Sequence, residues 1–132
     1  MVNTPRRNVV DSSAWLAYFA DERAAAQFAE AIEDTANLVV PAICILEVFK
    51  IVARQRSETD ARQAAALMLQ GTVVDLDAAL AMSAARIGLA HRLPLADSVV
   101  YATAEQTGGV LWTQDDDFDG LPDVRYIPKS DR

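Results

Sequence analysis

Short runs of β-branched and apolar residues alternate along the chain with longer segments whose apolar positions recur at helical spacing. Arg7 to Asp11, Asn37 to Val40, Thr72 to Val74, Val110 to Thr113 and Val124 to Ile127 are the short runs. They read as strands of a sheet covered on both faces, where side chains are apolar without strict alternation. Between them the periodicity predicts helices over 13–20 and 22–34, split near Asp21, and over 42–56, 59–70, 78–91 and 95–107. The punctuation agrees. Pro41 suits a first helical turn, Ser57-Glu58-Thr59-Asp60 has the form of a cap, and Gly71 is placed to close the helix before it. Asp77 is a further cap, Leu93-Pro94 breaks the chain, and Gly108-Gly109 ends the last helix. A polar tail is expected from Pro128 onward. Strands alternating with helices predict an α/β fold: a parallel sheet with helices on both faces, joined by right-handed crossovers.

The 132 residues suit one domain, 1–132, with room for a sizeable core. No run approaches the roughly 18 apolar residues of a membrane span. Early arginines and an apolar patch within Met1–Ala20 imitate a signal peptide. Asp11 interrupts the patch and Asp21-Glu22 follow it, so it is read as strand and helix instead. Cys44 is the only cysteine and sits in an apolar segment. It is expected to be a small core residue, and a reducing cytoplasm fits. The net charge of −7 argues against a protein that coats nucleic acid by charge alone. It leaves room for an enzyme whose surplus acids hold cations. No Gly-rich phosphate loop follows a strand, and no Cys/His set has zinc spacing. His91, alone near a helix end, is read as structural or surface.

Ligands of parallel sheets bind beyond the carboxyl ends of the strands, and several acids are candidates for that edge. Asp11 ends the first strand. A helix cap would explain it too, although Ser12 or Ser13 could cap equally well. Glu47 shares one stripe of an apolar helix with Lys50 and Arg54. That stripe is either a surface pairing or the face turned toward the strand ends. Asp97 opens a helix, where the dipole favours an acid in any case. Asp115, Asp116, Asp117 and Asp119 follow the fourth strand. Such a run is ordinarily a solvated turn, yet its charges repel unless something positive binds. Phe118 within it predicts a packed turn.

In order along the chain, four stretches resemble the motifs of PIN-domain ribonucleases, in particular the VapC toxins of toxin–antitoxin pairs. They are Val9-Val10-Asp11-Ser12-Ser13-Ala14-Trp15-Leu16-Ala17, Glu47 in its apolar helix, Leu95-Ala96-Asp97-Ser98, and Thr113-Gln114-Asp115-Asp116-Asp117-Phe118. The resemblance covers nearly the whole chain. It implies a three-layer α/β/α sandwich with a short, mainly parallel sheet, and metal-dependent cleavage of RNA. Carried over, Asp11, Glu47, Asp97 and Asp115 form the catalytic centre. Asp11, Asp97, Asp115 and Asp117 are the candidate metal ligands, and Thr113 and Ser12 support them. Gln114 and Asp116 depart from the basic or polar residues common in these toxins, which leaves open which of Asp115, Asp116 and Asp117 faces the ion. Crowded carboxylates suit Mg²⁺ or Mn²⁺, and Lys50 and Arg54 are candidate contacts to RNA phosphates. The implied partners are RNA, a cognate antitoxin, and a second copy in a homodimer or a toxin–antitoxin hetero-oligomer. The apolar surplus of Ile43–Val52 is one expected contact face. Two other functions use the same residues: a PIN nuclease of RNA processing or DNA repair, and a non-catalytic binding module. An aspartyl phosphotransfer enzyme fits less well, because Asp11-Ser12-Ser13 lacks a second acid.

Overall fold

The computed structural model describes residues 6–129. Strands β1 (Asn8–Val10), β2 (Leu38–Pro41), β3 (Thr72–Val74), β4 (Val110–Thr113) and β5 (Val124–Tyr126) form one parallel sheet in the order β3-β2-β1-β4-β5. The helices are α1 (Ser12–Phe19), α2 (Ala25–Ile32), α3 (Ala42–Gln55), α4 (Glu58–Met68), α5 (Ala78–His91) and α6 (Leu95–Thr107). From β1 to β3 the chain moves across the sheet in one direction. From β3 it returns past β2 and β1 to add β4. Right-handed crossovers then put α1 to α4 on one face and α5 and α6 on the other, the three-layer arrangement the sequence predicts. The reversal falls between β1 and β4. Their carboxyl ends diverge into different crossovers there, which opens a crevice at the sheet edge.

The core follows from composition. Val9, Val10, Leu38, Val39, Val40 and Leu111 of the three central strands are wholly or almost wholly buried. Trp15, Phe28, Val48 and Met68 cover one face, and Leu80, Val99 and Val100 the other. Cys44 is buried, and burial pushes its thiol pKa up, so it stays protonated. His91 is exposed and meets Tyr101 edge-on, with ring centroids 6.0 Å apart. Among the described residues no helix is long and apolar enough to cross a membrane. Of the expected polar tail, residues 130–132 lie outside the described residues.

Three differences from the expected elements have physical causes. The second helix covers Ala25–Ile32 rather than 22–34. Asp21 turns the chain with φ 53°, and Glu33 and Asp34 oppose the helix dipole at the other end, where a 3₁₀ turn over Thr35–Asn37 takes over. The fourth helix starts at Glu58, because Ser57 accepts the Asp60 N–H at 3.0 Å. Gly71 is not a helix cap, since α4 has already ended and its backbone is not left-handed. It is needed for close approach: a Cβ there would lie 2.8 Å from Leu38 Cγ and 2.9 Å from the Leu38 carbonyl oxygen. α3 packs against α4, α1, α6 and β2, and within its apolar stretch Leu46 stays 61% exposed.

Because one of those contacts at Gly71 is backbone, a methyl group cannot be absorbed by a rotamer change. Gly71→Ala is expected to destabilise the fold by about 1–3 kcal/mol, read as a lower urea midpoint. An unchanged midpoint would show that the turn between α4 and β3 yields freely.

Candidate metal centre

Helices that run antiparallel to the strands bring their N-terminal turns to the strands' carboxyl edge. Asp11 follows β1, Asp115 follows β4, Asp97 lies in the first turn of α6 and Glu47 in the second turn of α3. The pairing of Val10 with Trp112 sets the residues just beyond it, Asp11 and Thr113, side by side.

Asp11 is only 4% exposed. One carboxylate oxygen accepts the Ser13 hydroxyl at 2.7 Å and the Ala14 N–H at 3.2 Å, capping α1. The other accepts the Thr113 hydroxyl at 2.9 Å. The cap and the site are therefore the same carboxylate. The Ser13 oxygen accepts the Gln114 N–H at 3.2 Å, and the Thr113 oxygen accepts the Asp115 N–H at 2.9 Å. Each hydroxyl has one proton, and both are committed to Asp11. The 3.4 Å contact between Ser13 and Thr113 therefore has no donor left. This array suits an ionised Asp11. Even so, burial pushes its pKa up to about 6, against the three hydrogen bonds and with the Asp115 charge adding to the rise.

Asp97, Asp115 and Asp117 each offer a carboxylate oxygen within 4.8 Å of the others. Asp115 accepts the Asp117 N–H at 2.9 Å and so curls the turn over Asp116–Phe118. Phe118 is buried and stacks on Tyr101 at 6.5 Å, so the acidic run is a packed turn. Asp97 is pushed up to about 8, first by burial, then by the Asp115 charge, then by Asp117, which accepts the proton Asp97 retains. Among the described residues none of Asp11, Asp97, Asp115 and Asp117 is ion-paired. Three clustered carboxylate oxygens that repel one another and have no cationic side chain are a donor set suited to a hard divalent cation. Asp117, not Asp116, stands with Asp115 in this cluster.

The other expected residues fall around this centre. Ser12 donates its hydroxyl to Glu47 and not to Asp11, so it steadies the acid that stands outside the three-carboxylate cluster. Arg54 lines a groove of about 830 Å³ between α1, α3 and α4 that reaches Ser13 and Gln114. Lys50 is exposed on the same helix. Sequence reasoning missed Ser13 and Gln114. Two adjacent hydroxyls carry no label for their partners. Only the helical start at Ser12, about 100° of rotation per residue, sends one toward Glu47 and the other toward Asp11.

The raised acids fix a pH dependence. A carboxyl whose folded pKa lies above its unfolded value stabilises the fold at low pH, and that contribution is lost as pH rises through the folded pKa. In EDTA the melting temperature is therefore expected to fall between about pH 4 and pH 8 through Asp11 and Asp97. Asp97→Asn should flatten the upper part of this slope. A wild-type profile that climbs over the same window would contradict the assignment.

The PIN domain family model matches residues 9–124. No curated protein matches the chain by sequence. Among solved structures, a toxin–antitoxin complex from Klebsiella pneumoniae superposes with a TM-score of 0.79 at 22% identity, covering 93% of this chain and 99% of that one. VapC20 from Mycobacterium tuberculosis, described as a sarcin–ricin loop cleaving toxin, gives 0.74 at 18%, covering 92% and 99%. DNA-bound VapBC from Salmonella typhimurium gives 0.71 at 14%, covering 94% and 98%. At these identities the structural likeness speaks for the fold. The family match runs from β1 into β5 and takes in every acid of the centre, and on that ground the chain belongs to the PIN domain family.

Proposed function

We propose that this PIN domain is a metal-dependent endoribonuclease, the toxin of a toxin–antitoxin pair, acting on single-stranded or loop RNA in the cytoplasm. The observation that carries the reading is the uncompensated acid cluster Asp97, Asp115 and Asp117 at the strand edge, backed by the anchored Asp11. These residues would hold Mg²⁺ or Mn²⁺, with Asp11 joining directly or through water. Such an ion supplies Lewis acidity at a phosphoryl oxygen and a water of lowered pKa. The chain's own contribution is positional. Ser13 and Thr113 each donate their hydroxyl hydrogen bond to Asp11 and keep their protons, so neither is an activated nucleophile, and the attacking group is water. Ser12 ties one oxygen of Glu47, which leaves the other to take the water's proton. Hydrolysis then breaks one P–O bond as the water oxygen bonds to phosphorus, and the leaving oxygen departs with the bonding electron pair and takes up a proton from solvent. Lys50 and Arg54, on the stripe of Glu47, would hold flanking phosphates as charged donors.

Cleavage of total cellular RNA with mapped ends, with and without Mn²⁺, tests this. Asp97→Asn is expected to lose about a hundredfold or more in rate, beyond the 10–100-fold typical of residues that only support a metal's ligands. Ser13→Ala, which removes one orienting bond to Asp11, should lose less, about tenfold. Asp119→Asn, exposed and outside the cluster, should keep activity. Equal losses at Asp97 and Asp119, or cleavage indifferent to metal, would sink the proposal.

The antitoxin reading is supported by the groove between α1, α3 and α4. Leu16, Phe19, Ile51 and Leu67 give it apolar walls, and Ser13 and Gln114 mark its end beside Asp11. It suits the apolar face of a partner helix. An arginine beyond that helix would satisfy the free carboxylates with charge-assisted bonds. Replacing that arginine should restore cleavage more than it weakens the complex, because the apolar contacts persist. Cleavage that stays fully blocked would mean inhibition by another route.

A further inference from the structure

We infer that the groove between the α1–α2 turn, the first turn of α2 and the segment after β5 is a nucleotide subsite, in which Gln114 and Glu22 select an RNA base that carries an exocyclic amine, adenine or cytosine. The groove holds about 860 Å³, within the roughly 300–1,000 Å³ of small-ligand sites. Side chains alternate along an extended segment. Thr113 turns toward Asp11 and Asp115 joins the acid cluster, so Gln114 between them points the other way, to Glu22. The Ile127 N–H donates to the Thr113 carbonyl at 2.8 Å. This bond carries the β4–β5 pairing past Thr113 and Tyr126 and sets Ile127 beside Gln114. Asp21, with φ 53°, turns the chain after α1 and brings Glu22 to the same groove.

The state of Gln114 points to a ligand. The residue is only 8% exposed, and a buried amide ordinarily has its hydrogen bonds met. Among the described residues its side chain makes one contact, from Nε2 to a Glu22 carboxylate oxygen at 3.5 Å, the outer limit of a hydrogen bond. Its Oε1 accepts none, yet it is not sealed from the groove. Glu22 fixes which way the amide faces, because a carboxylate repels Oε1. The second Nε2 proton and Oε1 then stand side by side as a donor–acceptor pair. Adenine offers the complement at N6 and N7, and cytosine at its amine and N3. Guanine and uracil carry a carbonyl oxygen where those bases carry the amine, and Glu22, an acceptor only, would face that oxygen unpaired. Ala24, Ile127 and Pro128 give the base apolar sides. Arg23 and Lys129 also line the groove, are exposed, and among the described residues are in no ion pair. They are donors for the nucleotide's phosphate. Gln114 adjoins Asp115 in the chain, so the selected base would flank the bond to be cut. That placement rests on the proposed nuclease reading, whereas the selection of the base rests on the groove alone.

The test titrates the full chain in EDTA with AMP, CMP, GMP and UMP and follows the amide NMR signals. AMP and CMP are expected to shift Gln27, the Gln114 side-chain amide, Ile127 and Lys129, and to bind about tenfold more tightly than GMP and UMP. Gln114→Ala keeps the backbone N–H that Ser13 accepts and should erase the difference among the four. Glu22→Gln, a swap of equal size at an exposed position, should bring GMP and UMP up toward the other two. Arg23→Glu combined with Lys129→Glu should weaken all four alike. Equal affinities in the wild type, shifts that avoid the groove, or a preference that survives Gln114→Ala would each overturn the inference. No shift with any nucleotide would leave the groove to a protein segment and overturn it as well. No metal is present and no bond is cut, so the outcome is separate from that of the nuclease reading. Metal-dependent RNA cleavage together with equal nucleotide affinities would overturn this inference alone. Base-selective binding by a chain that cleaves no RNA would support the subsite and sink the nuclease reading.

Discussion

A single buried carboxylate organises this molecule. Asp11 ends a central strand with almost no access to water, and a charge in that position is tolerated only when hydrogen bonds replace its solvation. The replacements come from separate parts of the chain. Ala14 and Ser13 belong to the first turn of α1, and Thr113 to the end of β4. The pairing of β1 with β4 is therefore a condition for the site as well as for the sheet. The connection continues outward. Thr113 accepts the Asp115 N–H, Asp115 accepts the Asp117 N–H, and Phe118 pins the turn into the core. A continuous path of hydrogen bonds thus runs from the buried acid to the more exposed one.

That path holds like charges where they repel. The result is visible in Asp97, which retains a proton near neutral pH because burial and the neighbouring carboxylates disfavour its charge. The arrangement weakens the metal-free fold, and locally strained or repulsive groups of this kind concentrate at functional sites. A bound cation would reverse the sign of each of these interactions, since what repels carboxylates from one another draws them to the ion. Net charge hides this: −7 over the whole chain describes a protein that nucleic acid avoids, while a bound divalent cation would offset much of the negative charge at the acidic centre.

The fold was legible because burial on both faces leaves near-continuous apolar strands, and helices between them keep their 3.6-residue period. Asp77 starts α5 and Gly108 ends α6 as their chemistry predicts. What could not be read depends on side chains that meet across the sheet. Ser12 and Ser13 are alike in sequence, but Ser12 serves Glu47 and Ser13 serves Asp11. Asp116 and Asp117 are alike too, and only the 3₁₀ turn decides which one stands beside Asp115. Gly71 has the position of a helix cap but is required by the nearness of Leu38. The apolar character of α3 is answered inside the chain only in part: α4 and α1 cover one side of it, while Leu46 stays exposed, as Met82 and Leu89 do on α5.

The position of Arg54 adds a last step to the proposed reading. Glu47 and Arg54 lie seven residues apart on one stripe of α3, about 10 Å along the helix axis. A rigid helix therefore holds the acid and the cation at a fixed separation, and Arg54 would contact a phosphate beside the scissile one. Arg54 also lines the groove proposed for the antitoxin. A partner helix seated there would remove Arg54 from the RNA path while an arginine beyond it occupies the carboxylates. Inhibition would then have two separable parts, loss of a phosphate contact and loss of the metal centre. The first part would raise KM and leave kcat largely intact, because a phosphate contact made equally in ground and transition states is uniform binding.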